Sequence, residues 1–256
     1  MLHEVRCHDC DDAERIGSLP APSVAVVPSC TDPGPGPITN PVRLFRRRTP
    51  ANPEWVFAED VLSAVTFAEC ERLAELAHEG RVLELGSYYG RSTVPLASTA
   101  ATVHSVDPHE GGPSDAPRTL VPFLDNLERY GMREKVVVHV GASTDVVRLF
   151  REDSFDLVFI DAMHQRPEVD VDVVLAARCL RAGGALALHD YGRGGVWVGD
   201  AWHSFGVTEA LDEFLGLTHG RAPDLVDTLA VVRSPSGGDE LGAWRSGVAA
   251  FATALR

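Results

Sequence analysis

Apolar residues recur along this chain in short, nearly unbroken runs, each reaching an acid or a glycine within two residues of its end, and all but the last followed by a stretch of helical period. The runs are 81–85 (RVLEL), 102–106 (TVHSV), 135–140 (KVVVHV), 155–160 (FDLVFI) and 185–188 (ALAL). Runs of this length predict strands covered on both faces, as in a parallel sheet. Between them, helices are predicted over 118–130, 145–150 and 169–180, with Gly183-Gly184 as turn and stop. Ahead of the first strand, Val61, Leu62, Val65, Phe67, Leu73, Leu76 and Ala77 recur at three- and four-residue spacing. They predict a helix from Glu59 that stops at Gly80. Beyond the fifth run come a loop over 192–205, a helix over 207–215, a short strand near 217–219, a strand over 228–233 and a terminal helix over 241–255. Strand and helix in strict alternation predict a doubly wound α/β domain.

The first 53 residues differ. Residues 20–41 are dense in Pro, Gly and Ser, so 1–53 is expected to be an extended or docking arm, leaving 54–256 as the folded domain. Cys7 and Cys10, with His3 and His8 nearby, resemble half a zinc site, but no second ligand pair stands at motif spacing. A net charge of -14 argues against a nucleic-acid partner. No apolar run is long enough to span a bilayer, so no membrane partner is expected. Five scattered cysteines suit a reducing compartment, and the first residues lack the basic-then-apolar layout of a secretory signal; a cytoplasmic location is expected.

The chain is organised around RVLELGSYYGRST, residues 81–93. An apolar strand ends at Glu84 and Leu85, a turn Gly86-Ser87-Tyr88-Tyr89-Gly90 follows, and a helix starts near Ser92. Gly86 and Gly90 let backbone approach a ligand where a Cβ would collide. The spacing lacks the middle glycine of the dinucleotide fingerprint, and Tyr88 stands where that fingerprint wants glycine. Glu84 can hold an ammonium group instead. Asp107, about 20 residues after the turn, is placed to accept hydrogen bonds from both ribose hydroxyls.

This stretch resembles motif I of the class I S-adenosylmethionine (SAM)-dependent methyltransferases, most closely the catechol-type O-methyltransferases. VVHVGASTDVV resembles the same family's third strand, where a Gly-Ala-Ser corner borders adenine; that implies Ala142 and Ser143 at the cofactor, with Ser143 or Thr144 equally suited to cap the next helix. The resemblance implies a mostly parallel seven-stranded Rossmann-like sheet with a C-terminal antiparallel strand. It implies SAM bound by Glu84, Gly86, Ser87, Tyr88, Gly90, Ser92, Asp107, Ala142, Ser143 and Asp161.

Asp161, His164, His189 and Asp190 fall at the ends of the fourth and fifth strands, the edge where ligands of such sheets bind. Catechol-type enzymes place a metal there, on an acid after strand four and an acid and an amide after strand five, and a lysine base three residues after the first acid. This chain has His189-Asp190 and His164 at those positions. Asp161, His189 and Asp190 can hold a divalent cation, or hydrogen-bond one another and the loop backbone; imidazole suits metals softer than Mg. His164 can serve as base, with His189 its competitor. The order of motifs is also similar to that of bacterial methyltransferases acting on sugars and other natural products. The resulting expectation is O-methylation of a hydroxylated small molecule, with room for a homo-oligomer. A nicotinamide-dependent dehydrogenase and a non-catalytic SAM-binding protein are the alternatives. Trp197, Trp202 and His203 either line a substrate pocket or staple a surface loop.

Overall fold

The computed structural model describes residues 44–45, 54–110, 118–198 and 200–255. The cysteine pair at 7 and 10, the basic run at 46–48 and most of the 109–117 loop lie outside them. Strand β1 (Leu44–Phe45) pairs antiparallel with β2 (Trp55–Val56). The chain then runs without regular structure to α1 (Phe67–Ala77). This helix begins eight residues later than the apolar period predicted. The reason is local: Thr66 accepts from the Glu69 N–H while the Glu69 carboxylate accepts from the Thr66 N–H, a capping box that fixes the start. The preceding segment is pinned to the body by Arg91, whose Nε donates to the Val61 carbonyl at 2.7 Å.

Seven strands form the main sheet: β3 (Arg81–Leu85), β4 (Thr102–Asp107), β5 (Val136–Val140), β6 (Phe155–Ile160), β7 (Leu180–Leu188), β10 (Asp224–Val226) and β11 (Leu229–Arg233). Their order is β10-β11-β7-β6-β3-β4-β5, and only β11 runs against its neighbours. The expected fold class is therefore what the chain adopts. Helices α2 (Thr93–Thr99), α3 (Leu120–Arg129), α4 (Ser143–Val146), α5 (Glu168–Cys179), α6 (Val207–Thr218) and α7 (Gly238–Ala254) complete the three layers. Side-chain alternation along β3 separates the two cores: Val82 packs with α1, α2 and α3, whereas Leu83 and Leu85 pack with α5, α6 and α7. The connection reverses at β3, with β4 on one side and β6 on the other, so the crevice above β3 and β6 is the switch point of the sheet.

Four local expectations are corrected. Gly183-Gly184 does not stop a helix. The chain enters β7 at Leu180, and a register shift against β6 absorbs the glycines, Gly183 at φ +76. Ser143 does not cap α4; Ala142 occupies that position without a side-chain bond, and the Ser143 hydroxyl is engaged elsewhere. The late short strand lies at 224–226, because α6 continues to Thr218 and ends on His219 in the left-handed region. The loop after β7 contains a hairpin, β8 (Gly195–Val198) and β9 (Ala201–Ser204), with Trp197 opposite Trp202.

On the outer half of the sheet, His104 of β4 stacks on His139 of β5, with ring centroids 5.3 Å apart and Nδ1 3.0 Å from Nε2. Arg81 lies 3.2 Å from the other His104 nitrogen. Burial, then the Arg81 charge and His139, push His104 down to about 4 from the ordinary 6.5. The folded state thus disfavours a proton that the unfolded chain accepts. Stability is fully present above about 6.5 and should fall as pH is lowered toward 4. After allowance for solvent screening the loss is about 1–2 kcal/mol. Urea midpoints measured from pH 7 to pH 4 should show this slope, and His104→Gln should flatten it.

Candidate active site

A cavity of about 650 Å³ opens over the carboxyl ends of β3, β4 and β6. That volume is ordinary for a small-molecule site. Its floor depends on Gly86. The residue has φ +86, and a Cβ there would stand 2.0 Å from the Asp161 carbonyl oxygen. The turn after β3 and the end of β6 therefore touch backbone to backbone.

Asp107 lies at one end. Its Oδ2 accepts from the N–H groups of Ser87 and Tyr88, both at 2.9 Å, and its Oδ1 accepts from the His109 N–H at 2.7 Å. The carboxylate is thereby fixed in direction while keeping further lone pairs for a ligand. Tyr88 lines the cavity from the left-handed region, at φ +47. Ala142 and Ser143 form the wall beyond Asp107. Ser63 and Ala64, from the segment pinned by Arg91, close another side; the helical reading of 59–66 had hidden them.

Glu84, expected to take an ammonium group, is instead enclosed. It has no exposed surface, and its two oxygens accept from the Ser92 hydroxyl at 2.7 Å and the Thr93 hydroxyl at 2.6 Å. Burial pushes its carboxyl up to about 7. Alternation along β3 sends Glu84 to the same side as Val82, under the turn rather than into the cavity. Glu84 and Ser92 brace the strand–turn–helix unit. Gly90, at φ +92, packs on Phe123 below the same turn.

At the other end Asp161, His164, His189 and Asp190 come together as the strand ends suggested. His164 Nε2 sits 3.3 Å from Asp161 Oδ1 and 3.0 Å from Asp190 Oδ2, and its ring stacks on Phe205 at 4.5 Å. Burial alone would lower His164, but the two acids outweigh it and raise it to about 9. His189 is buried deeper. Its Nε2 lies 3.1 Å from Glu69 Oε2, while its Nδ1 lies 3.4 Å from Asp161 and 3.5 Å from Asp190 without an aligned hydrogen bond to either. Burial opposes its charge, yet the three carboxylates push His189 up to about 12. Arg193 donates to Asp190 at 2.7 Å.

Glu69 is the residue that sequence reasoning missed. It is fully buried, accepts from Thr66, His189 and Thr228, and burial notwithstanding is held down to about 2 by these partners. The capping box was its only sequence signal. Ligand atoms of Asp161, His164 and Asp190 lie within 4.8 Å of one another, a set able to hold a metal ion. The hairpin contributes Val196 to the cavity wall, while Trp197 on its opposite face is 65% exposed. No helix among the described residues is long and apolar enough to cross a membrane.

A family model described as a methyltransferase domain matches residues 83–191, the span holding every strand-end acid named above. Catechol O-methyltransferase of Mycobacterium tuberculosis (strain ATCC 25618 / H37Rv) is 33% identical over 147 residues, 52% of this chain and 64% of that protein. The chain thus spans less than two thirds of the length of that relative. A cofactor-bound crystal structure from MTB is 25% identical, with a TM-score of 0.52 over 69% of this chain and 84% of the other. The O-methyltransferase TomG from Streptomyces achromogenes, involved in tomaymycin synthesis and solved with SAM, shares the fold at 21% identity and a TM-score of 0.53, covering 68% of this chain and 82% of that one.

Proposed function

We propose that this chain is a class I SAM-dependent methyltransferase, similar to the methyltransferase-domain model and to the catechol O-methyltransferase above, and that it transfers the methyl group of SAM to a hydroxyl of a small molecule. The observation that carries the reading is one cavity with Asp107 fixed at one end and His164 between two acids at the other. In this reading residues 54–256 are the catalytic domain. Asp107 takes the ribose hydroxyls, Gly86 and Tyr88 line the nucleoside, Ala142 and Ser143 border adenine, and Asp161 stands near the sulfonium.

Methyl transfer requires the acceptor oxygen in line with the sulfonium methyl, and is helped if the hydroxyl loses its proton as it attacks. His164 is the base. Asp161 and Asp190 hold a proton at its Nε2, while its Nδ1 has no hydrogen-bond partner among the described residues. A neutral imidazole held this way is a stronger base at Nδ1. His189, pinned by Glu69, stays charged and sets that charge 3.4 Å from Asp161 and 3.5 Å from Asp190. The exposed Met163 in the cavity wall suits an acceptor with apolar surface, of a natural-product class that includes glycosylated molecules.

A second reading rests on the clustered ligand atoms: Asp161, His164 and Asp190 would hold a divalent cation, which when bound would lower the acceptor hydroxyl's pKa. It competes with the first, because His164 Nε2 would then be a ligand. Incubation with SAM and a panel of hydroxylated metabolites, with and without chelator, separates them. Under the base reading methylated product, read by mass, forms equally in both, and added Mn or Mg leaves the melting temperature unchanged. Loss of turnover in chelator with a cation-dependent rise in melting temperature would establish the second. Titration with SAM and with NAD tests the family reading itself: uptake of NAD alone would overturn it.

A further inference from the structure

Asp172 of α5 is 2% exposed and lies beneath the cavity wall. Its Oδ1 accepts the proton of the Ser143 hydroxyl. Ser143 itself belongs to that wall, beside Ala142. A serine hydroxyl carries one proton and two lone pairs, and an ionised carboxylate can only accept. With its proton committed inward, the Ser143 oxygen has only lone pairs left for the cavity.

We propose that Asp172 sets purine selectivity: by taking the Ser143 proton it makes Ser143 an acceptor only, so the site takes a 6-amino purine nucleoside and rejects a 6-oxo one. The inference rests on the reading of this cavity as the nucleoside site. The 6-amino group of adenine donates to such an oxygen, whereas a 6-oxo group would oppose lone pair to lone pair. Burial pushes the Asp172 carboxyl up to about 6, with the Ser143 bond lowering it and Glu168 raising it, so the group is an acceptor at pH 7.5. Asp172 is a positioning residue, acting through Ser143.

Calorimetric titration at pH 7.5 with S-adenosylhomocysteine and S-inosylhomocysteine tests this. The wild type should prefer the adenosyl compound by at least about tenfold. In Asp172→Asn the amide can donate to Ser143 and free its proton, so the ratio should fall toward one, mainly through gained affinity for the inosyl compound. Ser143→Ala, which leaves Asp172 in place, should also lose the preference and decides the matter if Asp172→Asn does not fold. An unchanged ratio in either folded variant, or equal weakening of both ligands in Asp172→Asn, overturns the proposal. Failure of the wild type to take up either compound would instead sink the nucleoside reading beneath it.

Discussion

Gly86→Ala is expected to abolish SAM uptake, weakening binding by more than about a hundredfold, and to lower the melting temperature by roughly 5–15 °C. The added methyl would lie 2.0 Å from the Asp161 carbonyl oxygen and 2.6 Å from its carbon, both backbone atoms that cannot rotate away. Left-handed strain at φ +86 adds about 1–2 kcal/mol, and overpacking about 1–3 kcal/mol. Relief requires β6 to retreat from β3, which carries Asp161 away from Asp107 and deforms the floor of the cavity. Gly192→Ala is the control: φ is +79, but nothing lies within 4 Å of the added methyl, so only the conformational strain remains. Titration calorimetry and thermal melts of both variants check the pair. Equal losses in the two would mean that the contact between strand ends does not matter.

His164→Gln should lower kcat by about 10²–10⁴-fold with little change in cofactor affinity. The pH profile gives a sharper signature. A base must be neutral to accept, and His164 is raised to about 9, so the wild-type rate should climb from pH 7 toward a plateau above about 9. Asp190→Asn removes one of the two acids at Nε2 and should move that midpoint down, toward 6.5. Rates of methyl transfer measured from pH 6 to pH 10 provide the check. A flat wild-type profile, with His164→Gln nearly as active, would exclude His164 as base.

Much of this fold was legible because a parallel sheet writes itself as unbroken apolar runs. FDLVFI and ALAL can hide only between two layers, and the acids that end the runs mark one edge of the sheet. The grouping of Asp161, His164, His189 and Asp190 followed from that edge alone. The direction of Glu84 could also have been read: in RVLEL it alternates with Val82, and Ser92 and Thr93 wait on that side with hydroxyls. The hairpin had a signal that the loop reading passed over, since Gly-Asp separates VWV from AWHS in the sequence. Glu69 was a different matter. Its partner His189 lies 120 residues away, and a local capping signal already accounted for its place in the sequence. The Ser143–Asp172 pair was hidden for the same reason, since the serine alone looks like a cap.

Glu69 also grips the sheet edge. Its Oε1 accepts both the backbone N–H and the hydroxyl of Thr228, at 2.9 and 2.8 Å, while Thr66 beside it bonds Asp227. The reverse bend joining β10 to β11 is in this way wired to His189 through one carboxylate. Engineers who shorten or graft loops generally treat such distal bends as silent ground. Here an insertion at 227–228 would tug on a carboxylate that also steadies His189, so a library diversified at that bend would alter turnover before it altered the fold.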